Sequence, residues 1–501
     1  MRSQIRGKAM ADKPEDSRVT DEAPPAGKSV TRREFLKYAG IAGATVGLGG
    51  GLAGVLAACG GTTTTTTAAT TPATTGTTAG TGTTAPSGST TTVSSSAATG
   101  RGVKVGWVTM TTGVYAGLSE PDNFLLALYK KTIGDGLIGA DNQKHPITWV
   151  VKDSQSDTNR AAEVTGQLIT SDKPDIVIGG MTPVVNIPVG QQCEANGVPS
   201  ITYGCPMEPW FIGMGGNPAT PTQGFKWAYN VFFSVGGDLD PVYIGLLNLL
   251  PTNKKVACLW PNDPDGTSTA DEKTGMPPAL KAAGYTIVNP GLFTQGTQDF
   301  SSAINKFKAE GCECLVGTWN PPDFANFWKQ AIQQGFNPKA TAIARAILVR
   351  PDMDAVGDIA NGLCLEVWWE KSWPFTSPIT GLTCQGIVDA WDTANPGKPY
   401  TPAVGLTGGG GFDCVIDVIK RTANLDDPAS YVEAIKATNL QSILGPIKFD
   451  APMANCALSP LVGGQWIGKV GAWDRLIVDN SHYPSIPKTG TIVDRTTLKL
   501  S

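Results

Sequence analysis

Asp175-Ile176-Val177-Ile178-Gly179-Gly180 carries three β-branched residues in a row and closes on two glycines. The run is too short for a helix and has no polar face, so it reads as a strand buried on both sides. Just N-terminal to it, Arg160 to Thr170 sets Ala161, Val164, Leu168 and Ile169 at helical spacing. Strand and helix therefore alternate, which is the pattern of βαβ units in a parallel sheet. The pattern continues in both directions. Val103 to Val108 and Ile147 to Val151 read as strands, with a helix from about Asp122 to Ile133 between them. A helix ending near Asn196-Gly197 and a strand from Val198 to Tyr203 follow.

The same grammar then starts again. Lys255–Trp260, Tyr285–Val288, Cys314–Gly317 and Thr341–Ala344 read as strands. Pro278–Ala283, Asp299–Ala309 and Phe324–Gln334 read as the helices between them. The body from Gly102 to Ser501 exceeds the roughly 250–300 residues that one core holds. The expected fold is α/β, with two doubly wound parallel-sheet lobes. Right-handed crossovers place the strand carboxyl ends of each lobe on one edge, where ligands of such folds sit. Two such edges face to face make a cleft.

The N-terminal part is of a different kind. Arg32-Arg33 read as a twin-arginine export address. A weakly apolar, glycine-rich run follows and ends at Leu56-Ala57-Ala58-Cys59, which resembles a lipobox with Cys59 as the lipidated residue. The signal is expected at 1–58 and is excluded from the fold. Gly60 to Gly100 carries no charge and is dominated by threonine, so it is expected to stay disordered. A tether over 59–101 would span about 35 Å. The expected location is extracytoplasmic, lipid-anchored to the cell membrane.

Composition excludes several classes. The net charge is −4 with no basic stripe, so nucleic acid is not an expected partner. Ten cysteines less Cys59 leave an odd number, so at least one thiol is unpaired within the chain. Cys312-Glu313-Cys314 lacks a second cysteine pair or a nearby histidine, and no metal or other cofactor is expected. The two histidines, His145 and His482, read as surface residues. No Gly-x-Ser-x-Gly or His-Glu-x-x-His motif occurs. Gly463 to Lys469 lacks the Ser or Thr of a phosphate loop, and Gly134 to Gly139 follows a helix pattern rather than a strand. Both read as turns.

Several stretches together resemble one family. They are Asp153-Ser154-Gln155-Ser156-Asp157, Ala161-Ala162-Glu163 through Gly179-Gly180, and Gly197-Val198-Pro199-Ser200-Ile201. Asp299-Phe300-Ser301 through Gly335-Phe336, and Leu444-Gly445-Pro446-Ile447-Lys448-Phe449-Asp450, complete the set. In order and spacing they resemble the type I periplasmic binding proteins, and more closely the branched-chain amino acid (leucine/isoleucine/valine) receptors of ABC importers. The resemblance implies three chain crossings, expected near Val231-Phe232, Trp368-Trp369 and Gln441. Lobe 1 would be 102–231 plus 369–440, lobe 2 would be 232–368 plus 441–479, and 480–501 a tail. It implies a non-enzymatic receptor that closes its lobes on a small amino-acid-like or carboxylate ligand and delivers it to an ABC permease. A sensor for a membrane signalling partner shares the fold, and a hydrolase using Asp263 and Asp265 is the third alternative.

Ligand contacts are expected on loops after strand carboxyl ends: Tyr115, Thr182, Tyr203, Gly204 and Cys205 from lobe 1, and Asp263, Asp265, Trp319, Asn320 and Arg345 from lobe 2. Thr182 and the Gly204-Cys205 backbone stand where the family holds a carboxylate. The chain departs from the family where a lobe 2 acid usually meets the ligand ammonium, because Ala344-Arg345-Ala346 stands there. An arginine would favour an acid, with Asp263 or Asp265 as substitute acidic partners. Trp319, Trp368, Trp369 and Trp373 fall near the cleft or hinge, as an aromatic wall or as core.

Overall fold

The computed structural model describes residues 97–498. Arg32, Arg33, Cys59 and most of the expected tether lie outside them. Residues 97–101, placed at the tether's end, are held in the fold: Thr99 bridges Lys144, and the Gly100 N–H donates to the Lys144 carbonyl at 2.9 Å. Backbone pairing, which composition does not reveal, fixes them.

The chain first lays down β1 (Val103–Thr109), β2 (Ile147–Asp153), β3 (Ile176–Gly180), β4 (Ser200–Tyr203) and β5 (Ala228–Val231). It then forms β6 (Lys255–Leu259), β7 (Thr286–Val288), β8 (Cys314–Thr318) and β9 (Ala340–Ala344). β10 (Cys364–Val367), β11 (Cys456–Ala457), β12 (Val462–Lys469) and β13 (Ala472–Asp479) follow. The first sheet runs β11-β5-β4-β3-β1-β2 and the second β9-β8-β6-β7, each with every pairing parallel. β10, β12 and β13 make a separate antiparallel sheet. The structure is two doubly wound parallel-sheet lobes joined by three crossings of the chain.

Helix starts are written in the sequence. Asp157 accepts from the Arg160 N–H, Asp263 from Gly266 and Asn320 from Asp323, each satisfying an orphan donor of a first helical turn. The Ile176-Val177-Ile178 run is fully buried. Gly180 at the end of β3 is needed for space. A Cβ there would lie 2.5 Å from the Tyr203 ring, which is buried and held by the Trp107 indole N–H at 3.0 Å. Gly180→Ala should therefore destabilise by about 1–3 kcal/mol in urea unfolding; an unchanged midpoint would mean that the ring moves freely.

Three expectations are corrected. β11 pairs with β5, and the Asn439–Ser442 / Gly445–Lys448 hairpin is tied to the first lobe by the Ile443 N–H donating to Asp413. The third crossing therefore falls between Ala457 and Val462, not near Gln441, because tertiary pairing decides which lobe a short strand joins. Residues 480–498 are no loose tail: Ile486 and Arg495 are buried, and Arg495 bonds Asn337 and the Ile359 carbonyl. His145 is buried, bonding the Arg101 carbonyl at 2.8 Å and Asp141 at 3.0 Å, and His482 is half-buried against Asp238. Both histidines found acidic or carbonyl partners distant in, or unmarked by, the local sequence.

Candidate functional site

In each parallel sheet the chain winds in opposite directions from a central switch point, between the paired strands β1 and β3 in the first and β6 and β8 in the second. A doubly wound sheet opens a crevice there, outside the strand carboxyl ends. The loops after those strands carry Tyr115, Thr182, Asp263, Asp265, Trp319 and Asn320. A cavity lies between them. Its first-lobe wall includes Leu118, Thr182, Gly204 and Leu406; Phe232, Phe233 and Trp368 come from the crossings. The opposite wall includes Leu239, Asp265, Arg345 and Glu366.

Thr182 caps the helix Pro183–Asn196, yet its side chain makes no capping bond. Its hydroxyl is buried without a hydrogen-bond partner. Its φ of 66° is strained for a β-branched residue. The loop is held by the Thr182 N–H donating to the Gly204 carbonyl at 2.9 Å, and Gly204 itself sits at φ 78°. A buried hydroxyl kept unpaired on a strained backbone, at the positive end of a helix, is suited to receive an anionic oxygen.

Arg345 faces it from the other lobe, also at positive φ (66°). Its guanidinium is already engaged: Nη2 donates to Asp263 at 2.8 Å, Nη1 to Asp265 at 3.3 Å and Nε to the Trp319 carbonyl at 3.1 Å. Its remaining face lies 6.0 Å from the Tyr115 ring centroid. Asp263 and Asp265 are thus the counter-ions of Arg345 within the fold, and Arg345 still lines the cavity. Burial opposes ionisation of Asp263, but Arg345 and the Gly266 N–H outweigh it and hold the carboxyl below its ordinary range. For Asp265 burial wins, reinforced by the charge of Asp263 and opposed by Arg345, and pushes it up to about 6.

Glu366, on β10, is the residue that sequence reasoning missed. It is 4 % exposed and accepts from the Arg345 backbone N–H at 3.3 Å and from the Tyr243 hydroxyl. Burial pushes it up to about 7, against the Tyr243 hydrogen bond. A lone glutamate inside the apolar run Cys364–Val367 was the available signal. The second lobe thus presents three carboxylates against one guanidinium.

Other expected contacts point elsewhere. Tyr203 packs under the first sheet against Gly180 and Gly411. The Cys205 side chain is buried in a separate apolar cluster with Trp210 and Phe211. Trp319 stacks within a knot of Phe293, Phe324 and Phe327. Asn320 spends its side chain on Asp323, accepting from its N–H and donating to its carboxylate. Of the crossing tryptophans, Trp368 lines the cavity, while Trp369 is buried and donates to the Ile443 carbonyl.

The cavity holds about 50 Å3, room for a few waters, so a larger guest requires the lobes to part. Among the described residues no helix is long and apolar enough to cross a membrane, and no group of three or more His, Cys, Asp or Glu could hold a metal ion.

Two parallel-sheet lobes with a cleft at their facing switch points are the architecture of bilobal binding proteins. The sequence matches the periplasmic binding protein family model over residues 102–467, and the chain belongs to that family. Among solved structures it is similar to a leucine binding protein, LivK, of Thermotoga maritima, with 19% identity, a TM-score of 0.60, and 76% of this chain and 99% of that one covered. It is similar to the branched-chain amino acid transporter substrate binding protein LivJ of Streptococcus pneumoniae, solved with isoleucine, at 17% identity, TM-score 0.57, covering 75% and 99%. A solute binding protein of an R. palustris ABC transporter, solved with 4-hydroxybenzoate, matches at 16% identity and TM-score 0.61, covering 79% and 99%.

Proposed function

We propose that the protein is a solute receptor that closes its lobes on an α-amino acid with an apolar or aromatic side chain. The observation that supports this most is the partnerless buried hydroxyl of Thr182, lining one cavity with Asp265 and Glu366. The ligand carboxylate would take the Thr182 hydroxyl and the helix start. Its ammonium would sit toward Asp265 and Glu366, and its side chain among Phe232, Phe233 and Trp368. Ligand held by both lobes stabilises the closed arrangement because only that arrangement offers both sets of contacts.

A ligand at 100 times its dissociation constant should stabilise the protein by about 2.7 kcal/mol. Thermal unfolding with leucine, phenylalanine and benzoate therefore separates the possibilities. A shift with amino acids and none with benzoate supports the zwitterion reading, whereas a shift with benzoate alone favours an aromatic acid without an amine. Thr182→Val should weaken binding about tenfold or more and leave stability nearly unchanged, since it removes an unpaired hydroxyl. Unchanged affinity would remove Thr182 from the site.

Export through Arg32-Arg33, anchoring through Cys59 and delivery to an ABC permease belong to the same reading. Cys59→Ser should move the protein from the membrane fraction to the soluble fraction.

A further inference from the structure

The loop that sets Arg345 and Leu348 against the cleft runs on into a second cavity, of about 260 Å3, lined by Val349 and Arg350. This cavity also takes Glu370–Ser372 just past the second crossing, Tyr400, and Asp474–Leu476 of β13. Glu370 and Arg475 neutralise each other through contacts of 2.8 and 3.1 Å. Arg350 and Lys371 have no such partner. Their charged groups lie 5.4 and 5.8 Å from the centroid of one ring, that of Tyr400. Arg350 donates only to the carbonyls of Trp473 and Tyr400, and among the described residues neither cation is ion-paired. The Asp474 carboxylate at the rim is exposed. Beside them the Ser372 hydroxyl is buried with no hydrogen-bond partner.

Two unpaired cations drawn to one ring repel each other, and a buried hydroxyl without a partner is costly. An oxyanion between them would relieve both. We propose that this cavity binds a small oxyanion, a carboxylate or a phosphate, with Arg350, Lys371 and Ser372 as its donors and Tyr400 as its floor. The site is separate from the cleft and does not depend on the reading given for it.

Calorimetric titration of the full chain with inorganic phosphate and, separately, with benzoate tests this. Saturable binding of either is expected, and which one binds tells phosphate from carboxylate. Lys371→Ala, at an exposed position, should weaken it about tenfold, Lys371→Arg should largely retain it, and Thr182→Val should leave it unchanged. Absence of saturable binding by both anions overturns the proposal. So does binding that survives Lys371→Ala, or that Thr182→Val abolishes, since the anion would then sit elsewhere or in the cleft.

Discussion

Arg345→Met is expected to destabilise the protein by about 3–5 kcal/mol, because it strands two buried carboxylates that now share one cation. Asp263 and Asp265 approach the guanidinium at 2.8 and 3.3 Å, with all three side chains nearly excluded from solvent. Without the arginine the two acids, already removed from water, repel each other with no cation to compensate them. The deficit should be larger at pH 8 than at pH 5, where protonation of Asp265 relieves the repulsion. Urea unfolding at the two pH values measures both effects. A variant as stable as the parent that no longer binds ligand would mean that the guanidinium serves the ligand rather than the fold.

The second large effect concerns pH. Burial pushes Asp122, Glu366 and Asp413 each up to about 7 and Asp265 to about 6, well above their ordinary range. Hydrogen bonds from Thr109 and Ser119 to Asp122, and from Ser377, the Ile443 N–H and Tyr129 to Asp413, oppose the shift without cancelling it. The folded chain keeps protons on these acids that the unfolded chain releases near pH 4. Their contribution to stability is therefore fully present below about pH 4 and lost as pH rises through 6 to 7. Asp263, held low, acts in the opposite sense and only at acid pH. Between pH 8 and pH 5 the protein should gain stability on the order of several kcal/mol, read as a rise in Tm on acidification. A flat or falling Tm over that interval would show that these carboxyls ionise freely in the fold. Ligand binding should run the other way. An ammonium needs Asp265 and Glu366 ionised, so affinity for an amino acid should fall as pH drops through 7 to 6.

Much of this was legible in the chain. Ile176-Val177-Ile178 has one stable use, a strand covered on both faces, and the alternation with amphipathic stretches leaves a parallel, doubly wound sheet as the arrangement. Apolar pattern is a local property and was read from the chain; the caps Asp157, Asp263 and Asn320 were recognised only from the first-turn N–H groups they accept from. Because ligands of such sheets gather at the strand carboxyl ends, and because the family resemblance places a carboxylate there, Thr182, Asp265 and Arg345 were named as candidates.

The direction in which those side chains spend their bonds was decided only by tertiary structure. Arg345 looked like a free cation because Asp263 and Asp265, some eighty positions away, come to it through a different strand. Glu366 looked like an interruption in a buried run, and it gains meaning only where β10 brings it beside Arg345 and Tyr243. The segment 480–498 and the third crossing were misjudged for the same reason, Arg495 reaching Asn337 and the Ile359 carbonyl across the fold. Local pattern fixes which backbone a segment adopts, through sterics and the period of apolar residues. Which partner a polar group meets depends on contacts between segments far apart in sequence, and those exist only once the chain has folded.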